Sequence, residues 1–503
     1  MNRWGRALLA AATVIVLALY LAPTHAGFVF DDAITILHNR LVQQSPTAAA
    51  RENPFRSVVN LTFWLQHRIH RPDFSPMPLQ EAMPRIEQNQ GERLRPLYRD
   101  PASGAAVPIT LDREGGMVFP LPPSWPFHLF NLLVHTLNGW LLFYIVRRLG
   151  AVEGPAAVTA AAFLLHPLAT EPVNYITARF ALMSLTFSLA AALVHLRADG
   201  RARGELIAAG LYLLALLCKE TAAPLPLMVF ILDALRARPR PVALLGLVLT
   251  GIYAFARSRW LVVLGARPGE TLDWPLYLIT EQRVVWLYLG KVFWPLHLNF
   301  DYHVVPRPAL DGGLAFINLL LLGGGGAFLL RRLTALRPPS STEEESRPGF
   351  CSSILAVFAL CWTALSPTGT VIPLADLARE DRAYPLLAVI IPSAAFALMQ
   401  LNKLLRHSRR RLVMAAALTA LFLLAVGTAA RNADWSAELT LHRDIVTQSP
   451  LKARAVYNYA TALKWHGRLP EALHWYEQAL VLVPAHRNAA VNVDTLLKIS
   501  NQR

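Results

Sequence analysis

Asp31 and Asp32 stand side by side in Phe28-Val29-Phe30-Asp31-Asp32, a few residues beyond an apolar run. Adjacent carboxylates at a membrane boundary suit a general base or a divalent-cation site, because each negative charge raises the proton affinity of the other. The same pair also suits the solvated start of an acidic loop. A second polar set, His128, Asn131, His135 and Asn138, recurs at helical spacing and falls within a wedge of about 80°. Such a stripe on an otherwise apolar helix must meet protein or a water-filled cavity. It either lines a site or hydrogen-bonds to neighbouring helices. A third set is His166-Pro167, Glu171-Pro172, Asn174-Tyr175 and Arg179, where the prolines turn the backbone. Lys219-Glu220 and the run Glu380-Asp381-Arg382 with Tyr384 complete the inventory. A charge at membrane depth costs about 2.5–3.5 kcal/mol on insertion scales, so each of these groups needs a reason. Arg179, Lys219 and Arg382 have the donors to hold a phosphate. The competing reading is internal ion pairing, Lys219 with Glu171 or Arg382 with Asp376.

The elements that position these residues follow from composition. Of 503 residues, 54% are hydrophobic and 16% charged, against about 25% charged in an ordinary soluble chain. The apolar residues fall in runs of about 17–24, long enough to cross a bilayer as helices. Eleven spans are expected, near 7–23, 127–146, 155–171, 179–196, 205–218, 221–235, 242–264, 313–330, 351–366, 385–401 and 411–430. The stretch 274–298 carries Glu281, Arg283 and Lys291 and reads as interfacial or re-entrant. With that count, the basic connectors at 147–148, 197–203, 236–240, 331–347 and 403–411 all fall on the cytoplasmic side. Every chemistry-bearing cluster then falls on the external side. The formal net charge of +15 is read as topology-setting arginine meeting anionic headgroups, and nucleic acid is excluded because no basic face with base-reading groups accompanies it. Arg3, Arg6, the apolar run and Thr24-His25-Ala26 resemble a secretory leader, but the run is long and is read as a retained span. Cys218, Cys351 and Cys361 are odd in number, lack a CxxC spacing and read as buried thiols.

Two parts lie outside the spans. Residues 24–126 form a large external loop with a polar, Pro-rich insertion at 70–126, in which 107–111 and 115–119 flank an Asp-Arg-Glu turn and read as a hairpin. Residues 431–503 form an external tail. There Gly467, Ala472, Tyr476, Ala479 and Pro484, with Ala460 and Leu463, match the tetratricopeptide spacing over one unit at 453–486. Helices at Trp435 to Pro450 and 487–500 flank it. Because about three repeats are needed for independent stability, this tail is expected to pack on the membrane domain or on a partner.

The ordered set of motifs resembles a known group. An Asp-Asp follows the first span; then come Phe55-Arg56-Ser57-Val58-Val59-Asn60-Leu61-Thr62-Phe63, Pro126-Phe127-His128-Leu129-Phe130-Asn131 with His135, and His166-Pro167 with Glu171, Asn174 and Arg179. Cys218-Lys219-Glu220, Pro295 with Leu298 and Tyr302, Glu380-Asp381-Arg382-Ala383-Tyr384-Pro385, Arg431-Asn432 with Trp435 and the tail repeat follow in order. Nearly the whole chain resembles the transmembrane and tetratricopeptide-repeat O-mannosyltransferases and their bacterial relatives, within the GT-C glycosyltransferases. The resemblance implies an all-α polytopic membrane protein. Its glycosyltransferase domain, 1–430, would be a GT-C-like bundle of about eleven transmembrane helices with a large first external loop. Residues 431–503 would form an external tetratricopeptide-type tail, and the setting would be a bacterial inner membrane with the catalytic face and the tail periplasmic.

The resemblance also implies transfer of a sugar from a polyprenyl-phosphate donor to an acceptor hydroxyl on a protein or glycan, with inversion. Asp31 and Asp32 match the catalytic acidic pair, and Asp32→Asn is expected to abolish transfer in a folded protein. Arg179, Lys219 and Arg382 match positions near the donor phosphate, and His128, His166, Glu171, Glu220 and Glu380 match positions lining the site. No cofactor is required by the motifs; a divalent cation on Asp31 and Asp32 stays open. Besides the donor and acceptor, membrane lipid is an expected partner. The chain departs from the group at Glu380-Asp381-Arg382, where relatives often have Glu-His-Arg, at Arg56-Ser57-Val58 in place of Arg-Pro-Leu, in the 70–126 insertion, and in its single repeat. The alternative reading is a non-catalytic membrane scaffold whose repeat recruits partners.

Overall fold

The computed structural model describes residues 3–21, 27–37, 39–70, 77–88, 96–99, 106–111, 117–120, 122–235, 242–263, 273–334, 376–404 and 407–501. The membrane part is mainly helical over these residues, with a non-helical segment at 294–307. Helix α1 (Arg3–Leu21) turns Leu9, Ala12, Val16 and Tyr20, spaced by three or four, onto the bundle. It packs on α4 (Glu153–Leu164), whose Ala156, Ala157, Ala160 and Ala161 present little side chain and allow a close approach. Helix α2 (Ser57–Ile69) lies in the first loop, and α3 (Trp125–Arg148) crosses against α4 and α6 (Arg179–Ala198). Gly139 of α3 sits directly on Leu164: a Cβ there would lie 2.5 Å from the leucine side chain.

At the end of α4 the chain bends by 52° into α5 (Thr170–Asn174). Pro167 cannot continue the helix, and Pro172 falls within the short α5, so the two prolines act differently. Helices α7 (Ala202–Leu216), α8 (Leu225–Leu235), α9 (Val242–Val263), α10 (Trp274–Phe293), α11 (Pro308–Thr334), α12 (Glu380–Leu404) and α13 (His407–Trp435) complete the bundle.

The protein is a multi-pass membrane protein. Among the described residues, six helices are long and apolar enough to cross a membrane, or seven if α4 and α5 are one broken span, where eleven spans were expected. Helices α7 and α8 have 15 and 11 residues, short of the ~20 that a span needs. The expected span 351–366 lies outside the described residues, as do Cys351, Cys361, the connector 236–240 and most of 331–347. The stretch beginning at 274 is not re-entrant: α10 is one continuous helix packed on α11. Several of its polar groups are matched within the protein. Arg283 pairs with Asp311 at 2.6 Å and the Trp286 indole donates to Asn318 at 3.0 Å, while Lys291 caps the carbonyls of Leu296 and His297.

The insertion departs from the all-helical pattern. Strands β1 (Met77–Pro78), β2 (Ile86–Gln88), β3 (Pro96–Arg99), β4 (Ala106–Leu111) and β5 (Met117–Pro120) form an antiparallel sheet in the order β1-β5-β4-β3-β2. The β4–β5 pair, with Leu111 opposite Val118, is the expected hairpin. In the tail, α14 (Glu438–Gln448) leads into the antiparallel pair α15 (Ala453–Trp465) and α16 (Leu469–Leu482), followed by α17 (Arg487–Asn501). Ala460, Leu463, Ala472, Tyr476 and Ala479 are all fully buried between them. Gly467 takes a φ of +73° in the connecting turn, a conformation suited to glycine.

Candidate active site

The acidic pair is split by the fold. The chain leaves α1 and makes a tight turn in which the Asp32 amide donates to the Val29 carbonyl (3.0 Å) and the Val29 amide donates to Asp32 Oδ2 (3.1 Å). Asp32 Oδ1 accepts from the amide and hydroxyl of Thr177 at 2.8 and 2.6 Å. Asp32 is thus buried, with both oxygens engaged. Burial pushes its carboxyl up to about 7 and the neighbouring Asp31 charge adds to this, against the lowering effect of those donors. Phe30, between the two anchors, takes a φ of +48°, a region that costs a bulky residue on the order of 1–3 kcal/mol and persists only where its surroundings enforce it. The turn leaves Asp31 exposed and facing a cavity of about 330 Å³. Asp32 thus anchors the turn, while Asp31 is the member of the pair that reaches the cavity.

Two parts of the molecule line that cavity. Phe30, Asp31, Phe300, Asp301, Asp376 and Arg379 come from the membrane part; Glu438, His442, Arg454 and Asn458 come from the tail. Phe30 and Phe300 stack at 4.1 Å and 11°, and His442 meets Phe30 edge-on at 4.9 Å. The Arg379 guanidinium covers Phe300 at 4.7 Å and Tyr175 at 5.3 Å.

A ridge of ion pairs leads away from Arg379. It pairs with the buried Glu171 (3.2 Å) and with Asp381 (3.5 Å), and Asp381 accepts from Lys219 at 2.6 Å. Glu171 also accepts from the Glu380 amide at 3.0 Å, and Glu380 accepts from the Tyr302 hydroxyl at 3.0 Å. Next to Lys219, Glu220 pairs with Arg56 (3.2 Å) and Arg257 (3.1 Å). Burial alone would raise Glu220, but these guanidinium groups and Lys219 hold it at about 2. Arg382 turns the other way, donating to the carbonyls of Asp376 (2.6 Å) and Leu377 (3.4 Å). The pairing partners differ from both expected ones: Lys219 takes Asp381 rather than Glu171, and Arg382 takes the Asp376 backbone.

Close to this ridge lies a second, apolar cavity of about 200 Å³ between α3, α6, α8 and α12. Its wall includes Leu142, Leu189, Leu225, Val229, Val389 and Phe396. Thr221 and Pro385 also line it, two residues from Lys219 and one helical turn from Asp381 and Arg382. Arg379, which lines the polar cavity, is linked through Asp381 to Lys219, two residues from Thr221 in the wall of the apolar one.

Three other candidates are buried away from the two cavities' linings. Arg179 is fully buried; its nitrogens donate to Asn131 Oδ1 (2.8 Å), Thr62 Oγ1 (3.2 Å) and the Phe127 carbonyl (3.0 Å), and Phe63 and Phe130 stack on it. Each of its three nitrogens has a partner, and it has no exposed surface. His166 bridges the Val292 carbonyl (2.9 Å) and the Leu168 amide (3.1 Å). His128 is buried near the start of α3. The polar stripe of α3 is resolved as interhelical hydrogen bonding: Asn131 reaches the carbonyls of Tyr175 and Ile176, and His135 and Asn138 both reach the Tyr384 hydroxyl. Among the described residues no group of three or more His, Cys, Asp or Glu is placed to hold a metal ion.

Sequence reasoning passed over Arg379, Phe300, Asp301, Arg454 and His442. Only Arg379 carried a local signal, since it extends the charged run Glu380-Asp381-Arg382 by one position.

No family model matches the chain. It is 27% identical over 326 residues to the protein O-mannosyl-transferase Tmtc1 of Drosophila melanogaster, covering 58% of this chain and 34% of that protein. It is 22% identical over 498 residues to the protein O-mannosyl-transferase F38B6.6 of Caenorhabditis elegans, covering 93% of this chain and 61% of that protein. The chain resembles the TMTC protein O-mannosyl-transferases. It spans 34% to 61% of the length of these two relatives. Among solved structures it is similar to the Archaeoglobus fulgidus oligosaccharyltransferase, with a TM-score of 0.37 and 13% identity over 86% of this chain and 56% of that one. The TMTC likeness agrees with the resemblance carried by the ordered motifs.

Proposed function

We propose that this chain is a membrane glycosyltransferase that moves a sugar from a polyprenyl-phosphate donor to an acceptor hydroxyl, with Asp31 as the general base. The observation that carries the reading is the presence of two cavities, a polar one lined by Asp31 and an apolar one whose wall includes Thr221, two residues from Lys219. The apolar one suits a polyisoprenoid tail. The phosphate then lies at its polar end, where Lys219 and Arg382 offset the negative charge that grows on the leaving group. The acceptor hydroxyl enters the polar cavity, Asp31 takes its proton, and the oxygen attacks the anomeric carbon from the side opposite the phosphate, inverting it. Asp381 holds Lys219 in place before the donor arrives. The names of the relatives point to mannose as the sugar and to a protein Ser or Thr as acceptor. The cavity would face the external, periplasmic side of a bacterial inner membrane, and 453–486 would be one tetratricopeptide repeat.

Asp31→Asn removes the base while leaving the exposed side chain's shape unchanged. Transfer from a radiolabelled polyprenyl-phosphate sugar to an acceptor should fall about 10²–10⁴-fold, with the melting temperature unmoved. Transfer at the native rate would overturn the assignment of Asp31.

A further inference from the structure

We propose that the C-terminal tail positions the catalytic carboxylate: its clamp on residues 298–302 presses Phe300 against Phe30, and that stack aims Asp31 into the cavity. The inference rests on the assignment of Asp31 as base. Residues 298–302 lie between α10 and α11 and are gripped from the tail. The Gln448 amide donates to the Leu298 carbonyl at 2.8 Å. The Ser449 hydroxyl accepts from Asn299 at 2.8 Å and donates to the Asp301 carbonyl at 2.9 Å. Lys452 and Arg454 both pair with Asp301, and Arg454 also reaches Asp376. From the opposite side, Tyr302 donates to Glu380.

Phe300 sits in the middle of this grip. One ring face lies on Phe30, Trp435 and Tyr175 meet it edge-on at 5.8 and 5.3 Å, and Arg379 covers it. Phe30 needs such support, because its backbone has a positive φ that a phenylalanine does not hold unaided. Asp32 closes the turn on Val29 and ties it to Thr177, and the Asp31 carbonyl accepts from the Thr35 amide; the Phe30 ring, seated on Phe300, is the side-chain support next to Asp31. Tail, Phe300, Phe30 and Asp31 therefore form one line of contacts. Phe300, Lys452 and Arg454 are positioning residues in this scheme; Phe300 and Arg454 also form part of the cavity wall, and Lys452 stands outside it.

The test uses the full-length protein in nanodiscs. Phe300→Leu keeps the apolar bulk and loses the ring face; Phe300→Tyr keeps the ring. Phe300→Leu and the double variant Lys452→Ala/Arg454→Ala should each lower kcat about 10–100-fold, as displaced catalytic groups do, with the donor KM unchanged. Phe300→Tyr should restore kcat. Native kcat in both defective forms, or failure of the tyrosine to rescue, would overturn the proposal. A second measurement needs no transfer. In a background with all three cysteines replaced by alanine, Asp31→Cys is labelled with a charged thiol reagent. Adding Phe300→Leu or the double variant should change the labelling rate about fivefold or more, as loss of a local restraint does. An unchanged rate overturns the positioning role, whereas a changed rate in a protein whose native form transfers no sugar would leave positioning standing and remove the glycosyltransferase reading.

Discussion

Asp31 and Asp32 are neighbours with opposite environments, and their variants should separate cleanly. In Asp32→Asn an amide NH₂ replaces an oxygen that now accepts from Val29 or Thr177, leaving a buried donor unmatched. The expected cost is about 1–3 kcal/mol, read as a lower melting temperature that Asp31→Asn does not share. Acidity adds a second signature. Asp32 has a folded-state pKa of about 7, above the ordinary 3.8, so its contribution to stability is full below about pH 4 and is lost as pH rises through 7. Glu220, held at about 2, acts in a separate window: its contribution is present above about pH 4.5 and is lost as pH falls toward 2. Melting curves across pH 4 to 8 should therefore slope downward in the native protein and flatten in Asp32→Asn. An equal slope in both would sink this account of Asp32.

At the scale of elements, the polar stripe of α3 was legible as a stripe but its purpose was not. His135 and Asn138 meet Tyr384 of α12, and a sequence of one helix holds no information about which helix faces it. The close seat of α3 on α4 depends on Gly139. Gly139→Val would press into Leu164, where a Cβ alone already lies 2.5 Å away. Overpacking of this kind costs about 1–3 kcal/mol and should lower the melting temperature, while substitution at Gly210, which has open space around it, should not. The tail hairpin was the most legible element, because Ala460, Ala472, Tyr476 and Ala479 belong to two helices adjacent in sequence and their spacing alone specifies how they interlock. By contrast, the sequence of α10 showed its charged groups but not the partner of Arg283, because Asp311 reaches it from α11.

At the scale of the molecule, the tail and the membrane part share one cavity, so neither is complete alone. Ending the chain after Trp435 would remove Glu438, His442 and Arg454 from the cavity wall and release residues 298–302. Such a truncation should insert in the membrane yet melt at a lower temperature and lose transfer. Native transfer by the truncated protein, measured with the same lipid-linked sugar, would return the tail to the scaffold reading.

What the sequence determined by itself was local: apolar runs of bilayer length, the helical pair at 453–486, the hairpin in the insertion, and the residue types gathered near the site. These depend on hydrophobic periodicity and on neighbours a few positions away. Only the tertiary structure decided which charged groups stay available. Lys219 finds Asp381 across 162 positions, Arg379 finds Glu171 across 208 and Arg454 finds Asp301 across 153. Burial and partner choice are properties of how distant helices pack, and they buried Asp32 and left Asp31 exposed at the cavity, from two residues that the sequence presents as equals.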